Sequence, residues 1–383
     1  MRGHRDGKDR WVVPGLLLAS LLACSTAASG EPAPQAAHAA EAGTASAWFS
    51  ALGADETSQA EQPANLLVKP AAMPFSFTCG SERSADLLRR CVAKTSKRVL
   101  DAGRSEKTIT WHDAKTGLEV RVEAVRFGDF PAIEWVVYLA NRGTADTPLL
   151  SDLLPLDAHF SLPAEPGRSA ILHYSKGALC CIDDYAPVEK PLSPGSDVRL
   201  ATGGGRSSSE VLPFFNLDLG GAGVLVGLGW SGQWAATFGC DPQKGVFARS
   251  GMETTHLKLH PGEEIRTPRI LTLFWKGDRM RGNNLLRRFL LTHHRPKPAG
   301  KPIVLPVLIG SWGGSPAADH WKTIQRILRN DLPIELYWID AEWFGGAAPW
   351  FKHNGNWEVR KDLYPQGFRA LSEPLHEIGR AHV

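Results

Sequence analysis

Through most of the chain, apolar residues alternate with polar ones in short runs separated by turns, the period of half-buried strands. Residues 108–112 meet residues 118–122 across Asp113-Ala-Lys-Thr-Gly117, a hairpin whose second arm alternates strictly. Residues 132–139, 223–230, 255–260 and 268–274 continue the pattern, with Pro261-Gly262 as a turn. So many strands at this spacing predict a large antiparallel sandwich. Residues 84–90 read as a short helix. Residues 284–293 read as a longer one, with Leu285, Leu286, Phe289 and Leu290 on its apolar side. The stretch from His293 to Pro298 reads as a solvated hinge.

From Leu305 the pattern changes to strand, helix, strand. An apolar run at 305–310 precedes a helix over 319–330 carrying Trp321, Ile324 and Leu328 on one face, and Pro333 feeds a second strand. That strand, within residues 334–343, is a near-continuous apolar run, as expected of a parallel strand covered on both faces. It ends in Asp340, Glu342 and Trp343. In a (β/α) barrel a carboxylate there points into the mouth where the chemistry is done. An acid beside an indole also suits a sugar: the carboxylate accepts hydrogen bonds from hydroxyls, and the ring faces the C–H side of the pyranose. A helix cap or an Arg partner is the competing role. A further helix is predicted over 368–378, bent at Pro374.

The first 24 residues read as an export signal: Arg2, Arg5, Lys8 and Arg10 precede an apolar stretch over 12–23 that is short for a membrane span. Leu21-Leu22-Ala23-Cys24 resembles a lipobox, so lipidation of Cys24, and with it a membrane anchor, stands beside ordinary cleavage near Ala27-Ala28. Either route makes the protein exported, periplasmic or on a bacterial surface. Residues 25–72, rich in Ala, Pro and Glu, are expected to form a disordered linker. Export makes Cys79, Cys91, Cys180, Cys181 and Cys240 candidates for disulfides, in pairings that sequence does not fix. No Cys or His spacing fits a zinc site. With 43 Lys and Arg against 40 Asp and Glu, the net charge of +3 gives no electrostatic case for nucleic acid. Thirteen Trp, most of them after residue 110, suit both a core and a carbohydrate site.

Several motifs then fall into a familiar order. Gly205-Arg206-Ser207-Ser208-Ser209, Pro213-Phe214-Phe215 and Gly229-Trp230-Ser231-Gly232-Gln233-Trp234 resemble the N-terminal supersandwich of glycoside hydrolase family 36. Leu259-His260-Pro261-Gly262-Glu263 with Thr267-Pro268 is similar to that domain's closing turn. Leu308-Ile309-Gly310-Ser311-Trp312 resembles the first barrel strand, and the stretch from Trp338 to Gly345 the second. Gly355-Asn356-Trp357-Glu358 with Tyr364-Pro365-Gln366-Gly367 resembles the segment after that second strand. The resemblance covers roughly residues 100–378. It implies a β-supersandwich over 73–295 and, over 302–377, the start of a (β/α)8 barrel.

It also implies a retaining α-galactosidase-type hydrolase acting on terminal α-galactosides or related α-glycosides, with no metal or organic cofactor. The family's nucleophile and acid/base are Asp residues on later strands, so no catalytic residue is expected in this chain. Asp340, Glu342, Trp343, Trp312 and Trp357 are the expected substrate-binding residues. The family pairs two adjacent Asp at the second strand end. Here Ala341 replaces the second, Glu342 replaces a Gly, and Asn356 stands where an Asp usually precedes the Trp. A barrel needs about 250 residues, and fewer than 85 follow Lys301. The chain is therefore expected to be an N-terminal fragment, with residues 378–383 an artefact encoded by a sequencing adapter. The competing function is a non-catalytic, surface-anchored glycan-binding protein. A homo-oligomer is left open.

Overall fold

The computed structural model describes residues 39–53, 67, 73–160, 170–243, 245–347, 349–377 and 381–382. The expected leader and Cys24 lie outside the described residues. The chain divides into residues 1–293 and residues 294–383.

The first unit is built on a ten-stranded antiparallel sheet. In spatial order its main path runs Pro187–Leu192, Ala170–Ser175, Phe214–Asp218, Ala222–Gly229, Arg269–Lys276, Ala132–Asn141, Leu118–Phe127, Arg104–His112 and Lys94–Val99, with Glu264–Arg266 also pairing Ala132–Asn141. Two four-stranded sheets accompany it: Asp197–Ala201, Trp234–Asp241, Gly245–Met252 and Leu156–Phe160; and His256–Leu257, Leu150–Leu154, Ser76–Cys79 and Glu82–Arg83. The predicted hairpin forms in register, Thr110 opposite Arg121 and His112 opposite Glu119. Its turn needs Gly117, which sits at φ +70°, because a Cβ there would lie 2.6 Å from Gly143 Cα.

Alternation on Leu118–Phe127 buries Leu118, Val120, Val122 and Ala124 in one large core. Ala132–Asn141 and Arg269–Lys276 are buried almost throughout. The reason lies in the helices. With α1 as Ala39–Ala51 and α2 as Ser84–Arg89, α3 is Arg279–Phe289. Leu285 and Phe289 of α3 cover Phe127, Phe130, Leu271, Leu273 and Trp275 on the face opposite the main core. Asp278 caps α3 by accepting from the Arg281 N–H at 2.9 Å, so the helix begins five residues before the expected 284. Gly282 lets it approach: a Cβ there would meet the Trp275 ring at 2.8 Å.

Three expectations for the first unit are corrected. The disordered linker over 25–72 contains α1, which packs into the sandwich. Trp48 stacks on Phe160 with ring centroids 5.6 Å apart and also meets Phe274. The helix was illegible because its inward face is partly polar. Glu41 is buried and ion-paired to Arg281, and it accepts from the Lys276 N–H at 2.7 Å. Thr44 Oγ1 accepts from the Leu67 N–H at 3.0 Å. Each partner is remote in sequence. At the far end, the Lys107 ammonium donates to the carbonyls of Phe49, Ser50 and Leu52, closing the helix C-terminus.

The five candidate disulfide cysteines, Cys79, Cys91, Cys180, Cys181 and Cys240, are free thiols. Cys91 Sγ donates to the Leu87 carbonyl at 3.3 Å, and burial pushes the Cys79 thiol up to about 11. His293 is no solvated hinge. It lies in a π-helical turn, Leu290–His294, among Phe127, Phe130 and Phe289, with Nε2 3.0 Å from Asp129.

In the second unit, Leu308–Ser311 and Leu336–Ile339 pair in parallel, joined by α4, Ala317–Arg329. Ala381–His382 adds a parallel third strand beside Leu336–Ile339, after α5, Arg369–Glu377, which contains Pro374. Ile324 and Ile327 of α4 pack with Leu371 and Leu375 of α5 and with Tyr337. The second strand is not covered on both faces as expected: Tyr337 is buried, but Trp338 is 43 % exposed, and Leu308 of the neighbouring first strand is 53 % exposed.

Candidate functional site

Both parallel strands end in turns that lie against each other. Asp340 N–H donates to the Ser311 carbonyl at 2.8 Å, and then the backbones close up. A Cβ on Gly313 would fall 2.1 Å from the Asp340 carbonyl oxygen and 2.6 Å from that of Ala341, so only glycine fits. A Cβ on Gly314 would lie 2.6 Å from Trp312 Nε1 and 2.7 Å from Glu342 Oε2. Indole and carboxylate thus converge over one small residue. Asp340, two residues before Glu342, is exposed, and its carboxylate has no ion pair among the described residues.

A buried polar chain fixes this arrangement from beneath. Tyr364 OH donates to the Gly313 carbonyl at 2.7 Å, which leaves it to accept from His320 Nε2 at 2.8 Å. His320 Nδ1 lies 3.0 Å from Tyr337 OH. Two phenols around one neutral imidazole satisfy every member with the proton on Nε2. Burial holds the His320 pKa below its ordinary value and pushes the Tyr364 phenol up to about 12, in keeping with an uncharged network.

The strand ends at Ile339, so Glu342 is free of the strand's alternation. It adopts φ +78°, in the left-handed region. Its carboxylate faces Arg360 Nη1 at 3.4 Å, while Arg360 also binds Asp362, Nε to Oδ1 at 3.2 Å and Nη2 to Oδ2 at 2.5 Å. The hydrogen bonds to Asp362 hold the guanidinium pKa above its ordinary value. Glu342, expected to face substrate, is therefore already ion-paired. The Arg360 N–H donates to the Trp343 carbonyl at 2.8 Å, fastening the same turn.

The aromatics divide by role. Trp343 packs edge-on to Phe344 at 5.1 Å and to Phe368 at 5.4 Å, as part of the hydrophobic cluster. Trp357 rests on Phe344 at 4.7 Å and leans on Trp343 at 6.3 Å, yet is 61 % exposed. Trp312 is 44 % exposed. The expected site residues other than Asp340 therefore form two sets, Trp312 with Glu342 over Gly314, and Trp343 with Trp357. Sequence reasoning missed Arg360, His320 and Tyr337 as members, because Glu342 lies 18 residues from Arg360, and Tyr337 and Tyr364 lie 17 and 44 residues from His320, with no periodic signal. Among the described residues no group of three or more His, Cys, Asp or Glu side chains is placed to hold a metal ion.

No family model matches the chain. It is 26 % identical over 189 residues to the α-galactosidase Mel36A of Lactobacillus acidophilus, covering 46 % of this chain and 25 % of that enzyme. It is likewise 26 % identical over 123 residues to the α-galactosidase AgaA of Geobacillus stearothermophilus, covering 32 % of this chain and 17 % of that enzyme. Its fold matches a crystal structure of an AgaA variant of family 36 in complex with raffinose. That match has a TM-score of 0.61 at 18 % identity and spans 82 % of this chain and 45 % of that one. The resemblance is to the family 36 α-galactosidases. It covers their N-terminal part: the chain spans a quarter or less of the curated relatives it matches. A further AgaA variant structure, also similar in fold, holds stachyose.

Proposed function

We propose that the chain is the N-terminal part of an exported, retaining α-galactosidase-type glycoside hydrolase that cleaves terminal α-galactosides of oligosaccharides. Its parallel-strand unit would be the start of a (β/α)8 barrel. The observation that carries the reading is an exposed Asp340 carboxylate, without an ion pair among the described residues, at the end of one parallel strand; the Asp340 N–H donates to Ser311, one residue before the exposed Trp312, at the end of the other. The likeness to α-galactosidases in both sequence and fold supports it. Asp340 accepts hydrogen bonds from sugar hydroxyls, and Trp312 covers the apolar ring face. Retaining hydrolysis needs a nucleophile and an acid/base about 5 Å apart, and no pair of residues in this chain is assigned those roles. Raffinose and stachyose, held by related structures, supply the substrate class.

The test is expression of the complete reading frame and assay on an aryl α-galactoside. Turnover is expected, and Asp340→Ala should cut kcat/KM by at least about a hundredfold, since it removes charge-assisted hydrogen bonds worth about 1.5–3 kcal/mol each. The circular dichroism spectrum should be unchanged. Near-normal kinetics in the variant would make Asp340 structural. Sugar binding without turnover in the complete protein would leave a glycan-binding protein instead. The 383-residue chain alone should show no turnover.

A further inference from the structure

Beyond the strand ends, the loop opened by Gly345-Gly346 carries two aromatic residues that the strand-end site does not use. Trp350 is 36 % and Phe351 57 % exposed, and they stand nearly perpendicular, 81° apart with centroids separated by 6.0 Å. Trp357 lies on the return of the same loop. Large exposed rings are costly to leave in water, and this one loop carries three of them: Trp350 against Phe351, and Trp357 against Phe344.

The loop is well fastened for one so exposed. Its base is closed by the Gly345 N–H donating to the Glu358 carbonyl at 2.8 Å and by pairing of Phe344 with Val359. His353 packs over Gly345 and Gly346, where a Cβ on Gly345 would meet its side chain at 2.5 Å, and His353 Nε2 lies 3.1 Å from the Ala347 carbonyl. The Asn356 N–H donates to the His353 carbonyl at 3.0 Å, and the Asn356 side chain accepts from the Glu358 N–H at 3.1 Å. Rings held this way lose little freedom when a ligand arrives.

The chemistry of the patch selects its occupant. Flat apolar faces are interleaved with the exposed amides of Asn354 and Asn356. That combination suits a neutral pyranose, whose C–H face is apolar and whose rim is hydroxylated. The loop is tied to the acid-bearing turn at its base, where Trp357 rests on Phe344 and Trp343, which come directly after Glu342. We infer that Trp350, Phe351 and Trp357 form a stacking platform for the sugar units of an oligosaccharide beyond the terminal unit held at Asp340. The inference rests on the proposed sugar-binding role of Asp340 and extends it to a substrate of several units.

The experiment titrates the 383-residue chain with galactose, raffinose and stachyose by calorimetry, and repeats the series with a Trp350→Ala/Phe351→Ala variant. Stachyose should bind on the order of tenfold more tightly than galactose, a gain of the size that burying one ring face supplies. The variant should lose that advantage and keep its galactose affinity. Both side chains are exposed, so the variant should fold, as its melting temperature will show. A stachyose-to-galactose ratio unchanged in the variant, or no stachyose preference in the parent, overturns the platform. So does failure of the chain to bind any of the three sugars. Concentration-dependent self-association that the variant abolishes, with no effect on sugar binding, reassigns the patch to a protein interface. Methyl α-galactoside has no second sugar unit, so its hydrolysis by the complete enzyme tests the proposed function without the platform.

Discussion

Glu342 holds φ +78° although it has a Cβ, a conformation that costs an L-residue about 1–2 kcal/mol and that glycine adopts freely. The resemblance places a glycine at this position, and the backbone explains that preference. The ion pair to Arg360 is what this chain has in place of conformational ease. Glu342→Gly should therefore be more stable than Glu342→Ala by about 1 kcal/mol, because both lose the pair but only glycine loses the strain. Equal denaturation midpoints for the two variants would show that no strain resides there. A second residue-scale effect concerns Asp113. Burial pushes its carboxyl up, but two hydrogen bonds from Arg90, both 3.0 Å, and one from Thr116 outweigh this and hold it at about 2. The folded pKa lies below the unfolded value, so the unfolded chain binds more protons between the two. The contribution is present above about pH 4 and is lost as pH falls toward 2. Because Arg90 is one-third exposed, it should amount to about 1 kcal/mol. Asp113→Asn should flatten the stability profile between about pH 4 and 2, measured by urea denaturation; a profile as steep as the parent's would refute the assignment.

Elements differed in how far their sequences disclosed them. Strands with an apolar face were legible wherever one face meets the core and the other meets water, as along Leu118–Phe127. Runs such as Arg269–Lys276 were legible as strands, and α3 supplies the second cover. α1 was not legible, because Glu41 and Thr44 lie on its buried side and are satisfied by residues distant in sequence. At the strand ends Asp340 and Trp312 could be picked out by residue type, whereas the Arg360 pairing and the His320 network depend on contacts that only the fold creates. If α1 is a structural element rather than a tether, Trp48→Ala should cost about 3–5 kcal/mol, the range for deleting a buried Trp and leaving a cavity against Phe160 and Phe274. Deleting residues 1–53 should have a similar or larger effect. A loss below about 1 kcal/mol would return α1 to the status of a loosely held segment.

At the scale of the whole molecule, the two units differ in how well they bury their apolar surface. The first encloses a large core and a second cluster under α3. The second buries one side of its sheet beneath α4 and α5, while Val304, Leu305, Val307, Leu308 and Trp338 remain exposed. A run of exposed apolar residues of this size is rare on a soluble monomer and attracts other apolar surfaces. Division of the chain at residue 293 implies that the first unit folds without the second. A protein of residues 39–294 should therefore unfold cooperatively with the same denaturant midpoint as the first unit's transition in the whole chain, and should not bind the dye ANS. The 383-residue chain should bind ANS and associate at micromolar concentration. Replacing Val304, Leu305 and Leu308 together by Thr should weaken the dye signal and leave the first unit's transition unmoved. Strong ANS binding by the 39–294 protein would place the exposed apolar surface in the sandwich and contradict the division drawn from the fold.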